Sequence, residues 1–268
     1  MLEIIPDFGE MDRYERLAAD YSLGYEYNDF YDPGLLDDAG ALKERMNSYR
    51  KLNRPAGSDT LHGAFFDIVP FSYDSGIRKH SLYRMQQSVE IAEELGCRAV
   101  IFHTGIVPAF CNNGKYYRNW LETMGNTVRM LVEQSSRVEI YMENMFDDSP
   151  LYLAQLAETL KDVSRFGVCL DIAHMMLVTK EPEEWFKLLS PCIRHFHLND
   201  NHLRTDEHLA LGQGCICWKY IFELMRGYQL EEASRLIEVN GLYKITASLE
   251  YLKKSGIFSQ SCPYTITE

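Results

Sequence analysis

Long apolar runs are missing from this chain, and none approaches the roughly 18 residues that a membrane-crossing helix needs. Also missing is a basic start followed by an apolar stretch. The chain opens MLEIIPDFGEMDRYERLA, so no secretory signal is expected. A soluble, cytoplasmic protein with no membrane partner is the expectation.

Paired cysteine spacings are absent too. The seven cysteines lie scattered at Cys97, Cys111, Cys169, Cys192, Cys215, Cys217 and Cys262. That pattern gives neither a disulfide framework nor a zinc knuckle and leaves reduced thiols as the simplest state. No linker rich in Pro, Gly or Ser divides the chain, which therefore reads as one domain over residues 1–268. Positive charge is scarce, with 27 Lys and Arg against 39 Asp and Glu, a net charge of -12. Phosphate binding draws on clustered Lys and Arg, so a nucleic-acid partner would need a basic groove built against this balance.

What is present is a rhythm. Short β-prone runs recur at 2–6, 25–29, 60–66, 98–103, 138–144, 167–173, 193–198 and 235–239. Helical spacing fills Met11 to Ala19, Leu36 to Lys51, Ile77 to Leu95, Asn119 to Glu133, Pro150 to Val163, Pro182 to Leu189, Trp218 to Gly227 and Tyr243 to Lys254. In the third of these, Leu82, Met85, Val89, Ala92 and Leu95 recur every three or four residues and define one buried face, which Gly96 ends. Ser149 and Pro150 mark an N-cap and a first helical residue. Strands alternating with helices imply a parallel sheet, and eight such units predict a (β/α)8 TIM barrel.

In such a barrel the carboxyl ends of the strands converge on one face, where polar residues read as functional. The third strand ends near His62, the fourth at His103, the fifth at Glu143, the sixth at Asp171 and the seventh at His197, while the eighth carries Glu238 near its end. Carboxylates converging without Lys or Arg repel one another. A divalent cation removes that conflict. Glu143, Asp171, His197 and Glu238 are therefore candidate metal ligands, and His174 in LDIAH can turn toward the same place. His62 and His103 read either as ligands or as satisfied core histidines.

The stretch HFHLNDNHLRTDEHLALGQG, from His195 to Gly214, adds Asp206 and His208 as a candidate ligand pair. His195 is expected to face the helices, away from His197. Asp200 and His202 read equally as loop surface or substrate contacts. Gly212 and Gly214 are expected to turn the chain back toward the next helix.

LHGAFFDI, AVIFHTG, YMEN, GVCLDIAH, HFHLNDN, DEHLALGQG and RLIEV, in this order, resemble the strand-end motifs of the xylose isomerase-like TIM barrels. That superfamily holds sugar and sugar-phosphate isomerases and epimerases, inosose dehydratase and endonuclease IV. The resemblance covers residues 60 to 240. Gln213 and Cys217 stand where Glu and Asp are usual in its LGEG-x-I-x-W stretch.

The epimerase branch implies Glu143, Asp171, His197 and Glu238 around one Mn2+ or similar ion, with Glu143 and Glu238 as the catalytic proton-transfer pair. The endonuclease branch implies up to three zinc ions on His62, His103, Glu143, Asp171, His174, His197, Asp206, His208 and Glu238. Substrate contacts are expected at His62, His103, His174, Phe66 and Asn144.

Glu207, between Asp206 and His208, stands where the endonuclease motif has Arg. The loop after His103, TGIVPAFCNNGKYYRNW, is aromatic and amide-rich. Such side chains suit a neutral sugar ring better than a duplex. The expectation is a metal-dependent isomerase or epimerase of a sugar, sugar phosphate or polyol, using Mn or Zn, with one to three ions. An abasic-site phosphodiesterase and a noncatalytic sugar-binding barrel are the alternatives. Oligomeric state stays open, a homo-oligomer included.

Overall fold

The computed structural model describes residues 1–256. Eight parallel strands follow one another as β1 to β8 in a closed barrel, as expected. They are β1 (Leu2–Ile4), β2 (Gly24–Tyr27), β3 (Thr60–His62), β4 (Ala99–His103), β5 (Glu139–Glu143), β6 (Phe166–Asp171), β7 (Ile193–Leu198) and β8 (Ser234–Ile237). The helices are α1 (Met11–Tyr21), α2 (Pro33–Asp37), α3 (Ala39–Lys51), α4 (Ser75–Leu95), α5 (Gly114–Gln134), α6 (Leu151–Thr159), α7 (Ile172–Val178), α8 (Pro182–Leu189), α9 (Trp218–Gly227) and α10 (Leu242–Lys254). The chain divides into two compact units, residues 1–26 with the chain from Cys169 onward, and residues 27–168.

In the first unit, β7 pairs with β8, β8 with β1 and β1 with β2, through registers such as His197 to Leu236, Ile4 to Ile237 and Glu3 to Gly24. Its core holds Ile4, Phe196, Leu198, Leu236 and Ile237. Over them α8 buries Trp185, Phe186 and Leu189, and α9 buries Trp218, Ile221, Phe222 and Met225. Those helical positions recur every three or four residues, the spacing of one apolar stripe. Buried polar residues lie in the same unit: Glu3, Glu26, His195 and His197 are each fully enclosed.

In the second unit β3, β4 and β5 pair in register, with His62 beside Ile101 and His103 directly opposite Glu143. Helix α5 buries Trp120, Met124, Val128 and Leu131 on one stripe. The Trp120 indole donates to the Thr104 carbonyl at 3.0 Å, which ties the helix to the loop after β4.

Several boundaries differ from the expected ones, each for a local reason. The helix expected over 36–51 is two, because the Asp38 carboxylate accepts from Gly40 and Ala41 N–H and starts α3 afresh. Helix α5 begins at Gly114, five residues before the expected Asn119, since Asn113 caps it through Lys115 N–H. At α6 the cap is Pro150 and the first helical residue Leu151, one position later than expected. Strand six ends at Asp171, as expected, although the β-prone run reaches residue 173; the Asp171 side chain accepts the His174 N–H at 2.5 Å and caps α7.

Among the described residues Cys97, Cys111, Cys169, Cys192, Cys215 and Cys217 are free thiols, and no helix is long and apolar enough to cross a membrane. Cys262 and the tail from Ile257 lie outside the described residues.

Candidate functional site

Within the second unit, three consecutive strands end in donor groups that meet. His62, His103 and Glu143 bring one ligand atom each to within 4.8 Å of one another. His103 Nε2 lies 3.3 Å and His62 Nε2 3.6 Å from Glu143 Oε2. The tautomer of His62 follows from its other nitrogen, because Nδ1 lies 3.0 Å from the Gly63 carbonyl, which can only accept. A neutral His62 therefore turns a lone pair on Nε2 toward a buried carboxylate. Two acceptors facing each other call for a cation between them or an extra proton.

Around this trio the side chains are aromatic. Phe65 packs with its ring centre 5.3 Å from His62 and 5.0 Å from His103, and Tyr31 and Phe66 pack on Phe65 at 4.9 and 4.1 Å. A small cavity of about 40 Å³ opens beside them, lined mainly by Phe65, Phe102, Met85 and Met145 with His103. Of the expected substrate contacts, Phe66 is 56% exposed whereas Asn144 is fully buried beside Glu143.

Within the first unit, β6, β7 and β8 deliver the others. Asn199, just past β7, spans two carboxylates, its Nδ2 lying 3.4 Å from Asp171 Oδ2 and 3.1 Å from Glu238 Oε2. His197 Nδ1 lies 3.4 Å from Glu238 Oε1. Glu238 itself follows the last residue of β8. His174, Asp206 and His208 form another group, with Asp206 Oδ2 at 3.3 Å from His174 Nε2 and 3.0 Å from His208 Nε2.

Burial would raise the Asp206 carboxyl, but hydrogen bonds from His174 and His208 overcome it and hold the group well below the usual carboxylate range. For His208 burial opposes the charged form, and Asp206 with Glu238 outweighs it, pushing the ring up to about 9. The His208 Nδ1 faces the Glu238 carbonyl at 2.9 Å, so the charged ring donates from both nitrogens. A metal ion on Nε2 would replace that second proton. These donor sets, carboxylates and imidazoles in mutual contact and mostly buried, fit one or more divalent cations.

The loop between β7 and α9 explains why Asp206 and His208 stand where they do. Asp200, fully buried, accepts from the N–H groups of Asn201, Gly212 and Ile216 and from the Trp218 indole at 2.8 to 3.2 Å. It is the peg of the loop, which resolves the choice left open for it in the sequence. An antiparallel bridge from Asp200 to Leu209 closes the excursion between. Gly212 has φ +81 and a Cβ there would meet the Tyr251 ring at 2.3 Å, while a Cβ at Gly214 would strike Asp200 Oδ1 at 2.3 Å. Only glycine fits either place.

His208 is held at φ 45, a strained conformation for a non-glycine residue, and Lys244 Nζ pins its carbonyl at 2.8 Å. His202 is exposed and pairs with Glu207 at 3.0 Å.

One expectation is overturned. His195 does not face the helices, for it and His197 both lie against Glu26, their rings 5.2 Å apart. Side chains on a strand repeat every two residues, so positions 195 and 197 share a face. Sequence reading also missed Asn199 and Glu26. The Asn of HLND directly after a ligand-bearing strand was the available signal for the first; a glutamate inside an otherwise apolar short strand, YEY, was the signal for the second.

A family model described as xylose isomerase-like TIM barrel matches residues 16–255. Among solved structures, a Thermus thermophilus protein soaked with zinc chloride superposes with TM-score 0.76 at 24% identity, covering 97% of this chain and 99% of that one. A D-tagatose 3-epimerase-like protein superposes with TM-score 0.75 at 22% identity, covering 95% and 96%. Of curated sequences, a probable endonuclease 4 of Campylobacter fetus subsp. fetus is 24% identical over 44% of this chain and 49% of its own length. The chain spans about three fifths of the first curated relatives it matches, two Methanocaldococcus jannaschii proteins, at 61% and 59% of their lengths.

Proposed function

For a chain that belongs to the xylose isomerase-like TIM barrel family, we propose metal-dependent isomerisation or epimerisation of a neutral sugar or polyol, with Glu143 and Glu238 as the proton-transfer pair. Glu143 joins Asp171, His197 and Glu238 as ligands in this reading, because successive strands of a closed parallel barrel end on one rim. A divalent cation bound there supplies Lewis acidity toward a carbonyl oxygen and acidifies the neighbouring C–H. One glutamate removes that proton and the other returns one, to the opposite face in epimerisation or to the neighbouring carbon in isomerisation. Asn199, donating to Glu238, steers the free lone pairs of that carboxylate. His62 and His103 hold substrate oxygens against Glu143, and the Phe65 and Phe66 rings stack on the sugar and exclude water.

The observation that carries this reading is the character of the strand-end loops. Residues 63–74, 104–113 and 144–150, which follow β3, β4 and β5, contain no Lys or Arg but include Phe65, Phe66, Phe71, Tyr73, Phe110 and Phe146. Residues 199–217 after β7 contain a single Lys or Arg, Arg204. A phosphodiester backbone needs the opposite composition. The His174, Asp206 and His208 group favours a second reading, a multinuclear zinc hydrolase of abasic DNA, because it offers a further donor set ready for metal.

The two separate in one comparison. Protein reloaded with Mn2+ or Zn2+ is given a panel of unphosphorylated ketoses and, in parallel, a duplex holding one abasic site. Ketose turnover with an intact duplex supports the first reading. Efficient nicking that is lost in Glu238→Gln overturns it.

A further inference from the structure

Where β4 and β5 end, the chain after one strand is fastened to the chain after the other by a buried carboxyl group that takes no part in the proposed reaction. His103 and Glu143 are the last residues of the two strands and lie directly opposite in register. The ladder runs one rung further, since the Thr104 N–H donates to the Glu143 carbonyl at 3.0 Å. Beyond that rung, Asp147 Oδ2 accepts from the Thr104 hydroxyl at 2.8 Å and from the Met145 N–H at 2.9 Å. One oxygen thus joins the residue after His103 to the residue two places after Glu143. All these residues are in the second unit.

The burial of Asp147 calls for a reason. Its neighbours in the loop, Phe146 and Asp148, are exposed, whereas Asp147 and Thr104 are each 1% exposed. Taking a carboxyl group out of water is costly unless hydrogen bonds replace the lost solvent. Thr104, for its part, is engaged at every polar atom: its N–H meets Glu143, its hydroxyl meets Asp147, and its carbonyl accepts from the Trp120 indole at 3.0 Å. Trp120 belongs to the buried stripe of α5, so the clamp is anchored on the helix rather than on the exposed loop.

We propose that Asp147 is a positioning residue, which closes the ends of β4 and β5 on each other and so keeps the Glu143 carboxylate aimed at His103, 3.3 Å from its Nε2. The role rests on the reading of Glu143 as a proton-transfer group. Proton transfer needs the carboxylate at a fixed place relative to the C–H, and a displacement of about 1 Å costs about 100-fold in rate. What Asp147 supplies is an acceptor oxygen in the right place, which asparagine also offers and alanine does not.

The first test reads the clamp in the metal-free protein without substrate. In amide hydrogen exchange followed by NMR, Asp147→Ala is expected to speed exchange at Thr104 about tenfold while amides in the middle of α5 are unchanged; a general loss of stability would speed both. The His103 ring signals, assigned by their loss in His103→Gln, are expected to shift in Asp147→Ala and to return in Asp147→Asn. Thr104 exchange or His103 signals left unchanged in a folded Asp147→Ala protein overturn the proposal.

The second test reads turnover of the ketose panel by Mn2+-loaded protein. Asp147→Ala is expected to lower kcat about 10- to 100-fold at constant KM, and Asp147→Asn to restore most of it. Thr104→Val, which keeps the shape and removes the hydroxyl, is expected to lose rate as well, and the double variant to lose no more than Asp147→Ala alone. Full rate in Asp147→Ala, additive losses in the double variant, or a loss in Asp147→Asn equal to that in Asp147→Ala overturns the proposal. If Asp147→Ala fails to fold, Thr104→Val decides by the same readings. The expected exchange and ring signals in a protein that turns over no ketose leave the clamp standing and remove only the substrate reading.

Discussion

The candidate donor groups of the two units have different surroundings. In the first, the donors are held by other polar groups: Asn199 lies between Asp171 and Glu238, Asp206 between His174 and His208, and Glu26 between His195 and His197. In the second, His62 and His103 stand against Phe65, and beyond it come Tyr31 and Phe66. A polar surround fixes tautomers and charges, as a metal centre needs. An aromatic surround excludes water and grips a ring without choosing a charge. In the proposed function, proton and metal chemistry draws on the polar-held donors and sugar recognition on the aromatic ones.

Substitutions sharpen or break that division. The largest effect belongs to the proton-transfer pair: Glu143→Gln and Glu238→Gln should each lower kcat by about 10² to 10⁴ with the circular dichroism spectrum unchanged. Retention of turnover in either would end the assignment. Next comes Asp200→Ala, which strips four donors of their buried acceptor and should cost about 3 kcal/mol in urea unfolding, with loss of whatever metal the His174, Asp206 and His208 group holds. Phe66→Ala should act only on recognition, raising KM roughly tenfold at constant kcat and constant metal content. A fall in kcat without a change in KM would erase the contrast between the units.

The smallest effect is shared by both units. Burial pushes the Tyr14 hydroxyl up to about 12, with Asp7 and Glu10 adding to it, and burial with the Asp59 charge raises Tyr27 further. A group raised in the folded state contributes stability that is full below its unfolded pKa and lost as pH rises toward the folded one. Stability should therefore begin to fall above about pH 10, the unfolded value for tyrosine. Tyr14→Phe should blunt the fall in alkaline denaturation curves. An identical curve for the variant would remove Tyr14 from the account.

Much of this was legible in the sequence because a parallel barrel repeats one grammar. Each apolar run ends in the residue that meets the site, and His62, His103, Glu143, Asp171 and His197 were readable as strand ends for that reason. Features that depend on contacts far apart in the chain were not legible. Asp200 looks like any loop aspartate until Gly212, Ile216 and Trp218 fold back onto it. Glu26 lies 169 and 171 positions from the histidines it joins, and nothing local marks it as their partner. The misplacement of His195 had a different origin, since the two-residue period of a strand was available and was applied in the wrong sense. Helix starts failed where a short polar cap, Asp38 or Asn113, overrode the apolar spacing.

The central claim is proton transfer at carbon by two glutamates on a neutral sugar, and solvent-hydrogen exchange tests it most directly. The metal-loaded protein is incubated with ketoses in deuterium oxide and the sugars are read by NMR. The account predicts deuterium at the carbon next to the carbonyl and its absence with Glu143→Gln and Glu238→Gln. No exchange into any ketose, with hydrolysis of an abasic duplex by the same preparation, would contradict it.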